Sequence, residues 1–391
     1  MLRKIEAIEA QMNGWALERE DVVRGVLVAR IARQNTIQVG PPGTAKSMII
    51  EMLAQHVTGG LFFQSGSISP TTDPSALFGP VNVKKIVEEG VSEFATDGML
   101  PEATDAFIDE AMNGSDALLQ SLHDIMLGTF KNGRHRKPVP LRSMHSGSNK
   151  FATEATAAMF DRFHLRYLVG PLVHKDSRDK MLANILMSGT YRPDAFVSVE
   201  DLDLMTQHSR MLTIEPEAFD ALSQIRDELT DGDDGHSGIY VSDRRLGSTL
   251  ATLQANAWMN GHRSVQVGDL DILQHMLWTN PDDIDFVSTA VLKRANPQML
   301  EIGRISSDLS DMVRESRVLM TSGEDQVHRQ NKAMEIMKNA KKLQAKASGL
   351  RKGATPANVT RVEKMSERLG NLQREIAKEV LGIDPTLMGM L

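Results

Sequence analysis

The stretch Gly40-Pro41-Pro42-Gly43-Thr44-Ala45-Lys46-Ser47 decides how the rest of the chain is read. The apolar-leaning run Thr36-Ile37-Gln38-Val39 precedes it and a helical pattern over residues 48–56 follows, so the order is strand, glycine-rich loop, helix. In such a loop successive backbone N–H groups point inward, the helix N-terminus adds partial positive charge, and Lys46 supplies a full one. Gly40, Pro41, Pro42, Gly43, Thr44, Ala45, Lys46, Ser47 and Met48 are therefore the candidate phosphate-binding residues, and the Ser47 hydroxyl is a candidate ligand for Mg²⁺. Ala45 stands where the usual pattern has a second glycine, and a small side chain fits there if its φ is negative.

A chain of 391 residues has room for two or three domains and a large core. Its apolar share of 41% and charged share of 24% are those of a globular protein rather than a disordered one. The absence of cysteine excludes disulfides, thiolate metal sites and cysteine nucleophiles, and fits a reducing compartment such as the cytoplasm. Residues 1–10 alternate charge with apolar side chains, so no signal peptide is expected, and no run reaches the roughly eighteen apolar residues of a membrane span. The formal charge of −7 argues against generic binding to a nucleic-acid backbone.

Ahead of the loop, residues 2–12 and 20–32 carry helical periodicity. After it, Leu61-Phe62-Phe63 reads as a short strand, residues 65–80 as a loop, and residues 81–96 as a β-hairpin turning at Glu88-Glu89-Gly90. Ala106-Phe107-Ile108-Asp109-Glu110 is an apolar strand ending in two carboxylates. Asp109 is placed to hold Mg²⁺ and Glu110 to orient and deprotonate an attacking water. The approach to that strand, Thr104 and Asp105, is polar for a buried element. A helix over 116–127, a basic loop over 130–140 and a strand over 141–148 follow, the strand ending at Asn149, whose amide can reach the same water or the γ-phosphate. A short helix over 156–160 closes with Asp161-Arg162-Phe163 before a strand over 165–169. Five strands interleaved with helices imply a parallel α/β core.

From Asp176 onward the pattern is helical, over 177–187, 199–212, 215–229, 243–259 and 269–278. Within it Asp231-Gly232-Asp233-Asp234-Gly235 is acidic like a calcium loop but lacks the glutamate twelfth in such loops, and reads as a flexible lid loop. The eleven histidines show no paired metal spacing. In the tail, Ala333, Ile336, Ala340, Leu343, Ala347 and Leu350 form one apolar seam and Val362, Met365, Leu369, Leu372 and Ile376 another. Lys352-Gly353-Ala354-Thr355-Pro356 between them supplies a stop, a turn, a cap and a first-turn proline, so residues 326–381 are expected to form an antiparallel helical hairpin with a basic first arm.

The ordered set Gly40 to Ser47, Asp109-Glu110, Asn149, Asp161-Arg162-Phe163 and Ser242-Asp243-Arg244-Arg245 resembles that of AAA+ ATPases. Within them it resembles the MoxR family through its Gly-Pro-Pro-Gly loop, Leu77-Phe78-Gly79-Pro80 and Gly98-Met99-Leu100-Pro101-Glu102-Ala103. Val241 to Arg245, Gly261-His262-Arg263-Ser264-Val265 and Leu277-Trp278 look most like the RavA subgroup. The resemblance implies an αβα core over 1–172, an all-helical lid over 173–285 and a separate helical extension over 286–391. It further implies ATP and Mg²⁺ as cofactors, Asn149 as first sensor, Arg162 as arginine finger, and Arg244, with Arg245 beside it, as a second sensor reaching the bound nucleotide. It also implies a homo-oligomer, expected as a hexameric ring, that remodels or activates a protein partner in the manner of a chaperone, a von Willebrand factor A-domain protein being the expected partner. A DNA-acting motor and a slowly hydrolysing binding module are the rival readings, the latter suggested by the polar approach to Asp109.

Overall fold

The computed structural model describes residues 1–233, 235–321, 325–352 and 356–383. The chain forms two compact units, residues 1–291 and 292–391, and each is taken by itself.

The first unit is built on a parallel sheet of five strands: β1 (Thr36–Val39), β2 (Phe62–Gln64), β3 (Asp105–Asp109), β4 (Ser143–Ser148) and β5 (Leu165–Leu168), in the order β2-β3-β4-β1-β5. The protein is thus of the α/β class with a doubly covered sheet. Strands buried on both faces need continuous apolar or small residues, and the sequence supplies Ile37 and Val39, Ala106 to Ile108, and the small set Ser143, Ser146, Gly147 and Ser148. Helix α1 (Leu2–Trp15) and helix α2 (Glu20–Ala32) precede β1, and α3 (Lys46–Gln55) follows it. The most buried helix is α2, with Val22, Val23, Val26, Leu27, Val28 and Ile31 all enclosed; each such side chain contributes about 1.5–3 kcal/mol relative to exposure.

The polarity before Asp109 has a structural cause. Asp105 pairs inside the core with Arg30 of α2, and Thr104 Oγ1 donates to Leu61 O at 3.0 Å. Burial lifts the Asp105 carboxyl to about 6, against the pull of Arg30 and Arg142.

Two local expectations give way. Residues 81–96 are not a β-hairpin: Val83–Glu89 is a helix, α4, and only the bridge Val81–Phe94 closes its stem. Asn82 accepts from Lys85 N–H at 3.2 Å and Gly90 takes the left-handed C-terminal position at φ 65°, so a cap at each end stabilises the helix. The hairpin lies instead in the basic loop, where Thr129–Asn132 pairs with His135–Pro138. Asn132 fastens the two features together, accepting from Phe94 N–H at 2.7 Å and donating to Phe94 O at 2.9 Å.

Helix α5 (Asp116–Met126) lies between β3 and that hairpin in the chain. Beyond β5 come α6 (Lys175–Ser188), α7 (Val199–Arg210), α8 (Pro216–Asp231) and α9 (Asp243–Met259), while Val267–His275 is a 3₁₀ run rather than an α-helix. In the acidic stretch 231–235, Asp233 bridges to His236 and accepts from Gly235 N–H, and Asp234 lies outside the described residues. Helix α10 (Ile284–Ala295) carries the chain out of this unit.

The second unit is a three-helix bundle of α11 (Pro297–Thr321), α12 (Gln326–Leu350) and α13 (Pro356–Glu379). The two expected seams meet a third from α11, made by Ile302, Ile305, Leu309, Met312 and Leu319. A two-helix hairpin would leave one flank of each seam wet, and α11 covers it. Lys332 pairs with Glu315 of α11 at 3.4 Å and Lys346 pairs with Glu301, so α11 also offsets part of the basic arm. Gly353, Ala354 and Thr355, the expected turn and cap, lie outside the described residues.

Candidate functional site

Strand β4 lies between β1 and β3, and its last residues hold both acting loops. Gly40 donates its N–H to Ser148 O at 2.9 Å, and Glu110 donates its N–H to Gly147 O at 2.8 Å. The glycine-rich loop and the acidic strand end therefore open at the same edge of the sheet. Gly147 is in register with Gln38 on one side and Asp109 on the other. A Cβ there would come within 3.2 Å of Asp109 Oδ1 and 3.4 Å of Lys46 Cε, so the carboxylate and the lysine stem converge beside it. Gly40 is required for a different reason, since a Cβ would meet Val169 O at 1.9 Å.

Lys46 Nζ donates to Gly40 O at 2.8 Å, Pro41 O at 3.0 Å and Asn149 Oδ1 at 3.1 Å. Asn149 in turn donates its backbone N–H to Glu110 Oε1 at 2.9 Å, and Asn113 Nδ2 donates to Glu110 Oε2 at 3.2 Å. A continuous chain of hydrogen bonds thus runs from the loop lysine through Asn149 to Glu110. Burial holds the Lys46 ammonium below the usual amine range, against the pull of Glu110 and Asp109. Burial also lifts the Glu110 carboxyl above its usual range, against the Asn149 N–H, and the Asp109 charge adds to the lift. Asp109 is anchored through its backbone, its N–H donating to Ser65 Oγ at 3.1 Å and its carbonyl accepting from Ile68 N–H at 2.9 Å. Thr44 Oγ1 donates to Pro41 O at 2.9 Å, and Ser47 and Met48 lie in the first turn of α3.

Ala45 departs from expectation. Its φ is +68°, in the left-handed region, where the Cβ costs an L-residue about 1–2 kcal/mol. Glu110 is held at φ 55° in the same region. Two non-glycine residues in this conformation within one site mark stored strain.

The arginines gather elsewhere. Asn35, just before β1, donates its Nδ2 to Arg162 O at 3.2 Å and accepts at its backbone carbonyl from His164 and Leu165 N–H. Residues 161–163 therefore sit at the start of β1, whereas the glycine-rich loop leaves its far end, about 13 Å away for a four-residue strand. There Asp161 collects the cations: Arg244 Nη2 donates to Oδ2 at 2.8 Å, while Arg245 donates to Oδ1 from Nε at 3.1 Å and again from Nη2. Arg166 Nη2 lies 3.6 Å from the same Oδ1. Burial pushes the Asp161 carboxyl up, but the Arg245 and Arg244 hydrogen bonds and the Arg166 charge outweigh it and hold the group down at about 2. The placement of Arg244 on its own chain's phosphate loop is not what the structure shows; it sits beside Arg162.

Residues 3–209 match the MoxR domain of the MoxR–vWA–β-propeller ternary systems, and residues 217–291 match an AAA lid domain. The chain is a MoxR-family AAA+ ATPase. Two uncharacterised proteins of Methanocaldococcus jannaschii are similar to it, at 29% identity over 80% of each chain and 30% identity over 75% of this chain and 76% of the other. A crystal structure of a candidate ATPase from Cytophaga hutchinsonii has the same fold, with TM-score 0.61 and 18% identity over 75% of this chain and 95% of that one.

Membership of this family implies nucleotide and Mg²⁺, and the residues at the MoxR loop fit them. All three hydrogen-bond acceptors of Lys46 are neutral, so no carboxylate is hydrogen-bonded to its charge, and the space where a Gly43 Cβ would stand is open to 4 Å. Among the described residues no group of three or more His, Cys, Asp or Glu could hold a metal ion, so any cation here would rely on Ser47 and Asp109 together with the phosphates. Sequence reasoning missed Gly147 and Asn113 as parts of these sites, and quoted Asp161 within a motif without giving it a role. Gly147, flanked by serines at the end of a strand, was the one with a visible signal.

Proposed function

We propose that this MoxR protein hydrolyses ATP within a homo-oligomeric ring of six copies and uses the cycle to remodel or activate a protein partner carrying a von Willebrand factor A domain. The observation that carries the reading is the Lys46–Asn149–Glu110 chain, in which one residue accepts from the phosphate-binding cation at its side-chain oxygen and donates its backbone N–H to the buried carboxylate. When bound, Mg²⁺ held by Ser47 and Asp109 would offset phosphate charge, which Lys46 and the loop N–H groups also face. Glu110, lifted by burial, is suited to take a proton from water, and Asn149 fixes its carboxylate and orients the water. Arg162 and Arg244 lie at the other end of β1 and serve a neighbouring copy's nucleotide. An apolar face on α6, with Leu186 86% and Met187 87% exposed beside Leu182 and Ile185, is of the kind a second copy covers.

The partner assignment rests on the ternary systems from which the matching domain is described. Within the first unit we keep the division into a core over 1–172 and a lid over 173–285, the likeness of Val241 to Arg245 to the RavA subgroup, a chaperone-like role, and a cytoplasmic location. No helix among the described residues is long and apolar enough to cross a membrane. The slow-binding alternative loses its motive, because Asp105 is paired with Arg30. ATP hydrolysis measured alone, with a candidate A-domain protein and with DNA tests the reading. Stimulation by the A-domain protein is expected, and stimulation by DNA alone would favour the motor instead.

A further inference from the structure

The four guanidinium groups around Asp161 are not equivalent. Arg166 is 1% exposed in its side chain and donates to Phe163 O at 2.9 Å and to Trp278 O, with its guanidinium carbon 4.6 Å from the centre of the Phe160 ring. Arg245 is 11% exposed and adds a bond from Nη1 to Thr279 Oγ1 at 2.9 Å. These two are anchored. Arg244, by contrast, is 67% exposed and has one bond, to Asp161, and the Arg162 side chain makes no hydrogen bond among the described residues. Helix α5 brings His123 and Asp124 to the same neighbourhood, with Asp124 taken up by Arg136 at 3.3 Å. The cluster therefore carries more cation than it can neutralise.

The sequence makes the arrangement deliberate in a physical sense. Ser242 caps α9 by accepting from Arg245 N–H at 3.2 Å, which puts both Arg244 and Arg245 in the first turn. Cations there oppose the helix dipole by about 0.3–1 kcal/mol each. The Asp161 carboxylate, 83 and 84 residues away in sequence, offsets them together with Asp243 in the same first turn.

We propose that Asp161 is a positioning residue for the arginines offered to a neighbouring copy. One oxygen locks the lid through Arg245 while the other aims Arg244, so that Arg244 and the adjacent Arg162 are presented as a unit. The proposal rests on the reading that these two act between copies. Because Asp161 stands at the far end of β1 from Lys46, its loss should slow turnover without weakening nucleotide binding.

The test is steady-state hydrolysis by the full chain as Asp161→Asn, Arg244→Ala and the double variant, with affinity measured by a fluorescent ATP analogue. Asp161→Asn is expected to lower kcat by about 10²-fold, the scale of a small misplacement, with the analogue's Kd within about twofold. Adding Arg244→Ala should cost little more, since Asp161 acts through it. Effects that multiply, or a kcat that holds while Kd rises, would make Asp161 a structural tie only. Should Asp161→Asn fail to fold, Asp161→Glu keeps the charge but displaces it, and unchanged kcat in that variant overturns the proposal. A full rate for Arg162→Ala would sink the between-copies reading and this one with it. A slow Arg162→Ala beside a fast Asp161→Asn removes only the role of Asp161.

Discussion

The two ends of β1 carry charge in opposite ways. At the C-terminal end, Lys46, Asn149 and Glu110 form one hydrogen-bond chain, and the backbone is strained at Ala45 and Glu110. At the N-terminal end, Asp161 has ordinary helical torsions, φ −64° and ψ −17°, and the side chains do the organising through ion pairs. The first end draws its lysine, its carboxylate and the residue that joins them from one chain and leaves the lysine charge for phosphate. The second presents Arg244 with Asp161 as its one hydrogen-bond partner and Arg162 with no side-chain hydrogen bond among the described residues. A site finished in its own chain but for the nucleotide, and one that offers cations outward, are the pair that the proposed action between copies calls for.

The largest effect should come from the unfinished end. Arg162→Ala is expected to lower kcat by about 10³- to 10⁵-fold, the range seen where a finger stabilises transition-state charge. Mixing that variant with Lys46→Ala protein should restore activity, because the second keeps its arginines and the first keeps its loop. Arg244→Ala should be rescued by the same partner. If no mixture recovers turnover under conditions that exchange subunits, the contrast between the two ends fails.

At the finished end two substitutions should separate binding from chemistry. Lys46→Ala removes the cation that faces phosphate and should abolish nucleotide affinity. Glu110→Gln keeps the shape and the Asn149 N–H contact, so it should bind ATP while losing about 10²- to 10⁴-fold in kcat, as expected when a general base is removed. Nucleotide titration followed by a single-turnover assay distinguishes the pair, and matching losses of affinity in both would erase the distinction.

How much of this was legible differs from stretch to stretch. Helices α2 and α9 were readable because their apolar periodicity is strong and Ser242 marks a start. Residues 81–96 misled because Val81, Val83, Val87 and Val91 satisfy a period of two while Val83, Ile86 and Val87 satisfy one of three and four; the caps Asn82 and Gly90 decided for helix. The true hairpin turns at Gly133-Arg134, the two residues between the paired Asn132 and His135, and Gly133 at φ 59° was its signal, hidden among basic residues. Helix α11 repeats the tail's own seam spacing and was readable in principle, so the tail should be removed from Leu292 rather than Gln326 if it is to leave as a folded unit. The Asp161 cluster was not legible, because its contacts join residues far apart and no local pattern announces them. The strain at Ala45 was equally hidden, since sequence shows a small residue but not the sign of its φ.

That strain supplies the smallest and sharpest contrast. Ala45→Gly removes a Cβ held at φ +68°, which should release about 1–2 kcal/mol, while the added freedom of the unfolded chain takes back about 0.5–1 kcal/mol. The expected net gain is about 0.5–1 kcal/mol, read as a higher urea midpoint for the transition that includes the sheet. Glu110 stores the same kind of strain but cannot be relieved this way, since glycine there would also delete the carboxylate. At the opposite end Asp161 has no positive φ, so glycine there should only destabilise. If Ala45→Gly lowered the midpoint instead, the loop would not be under backbone strain. The difference between the two ends would then lie in their side chains alone.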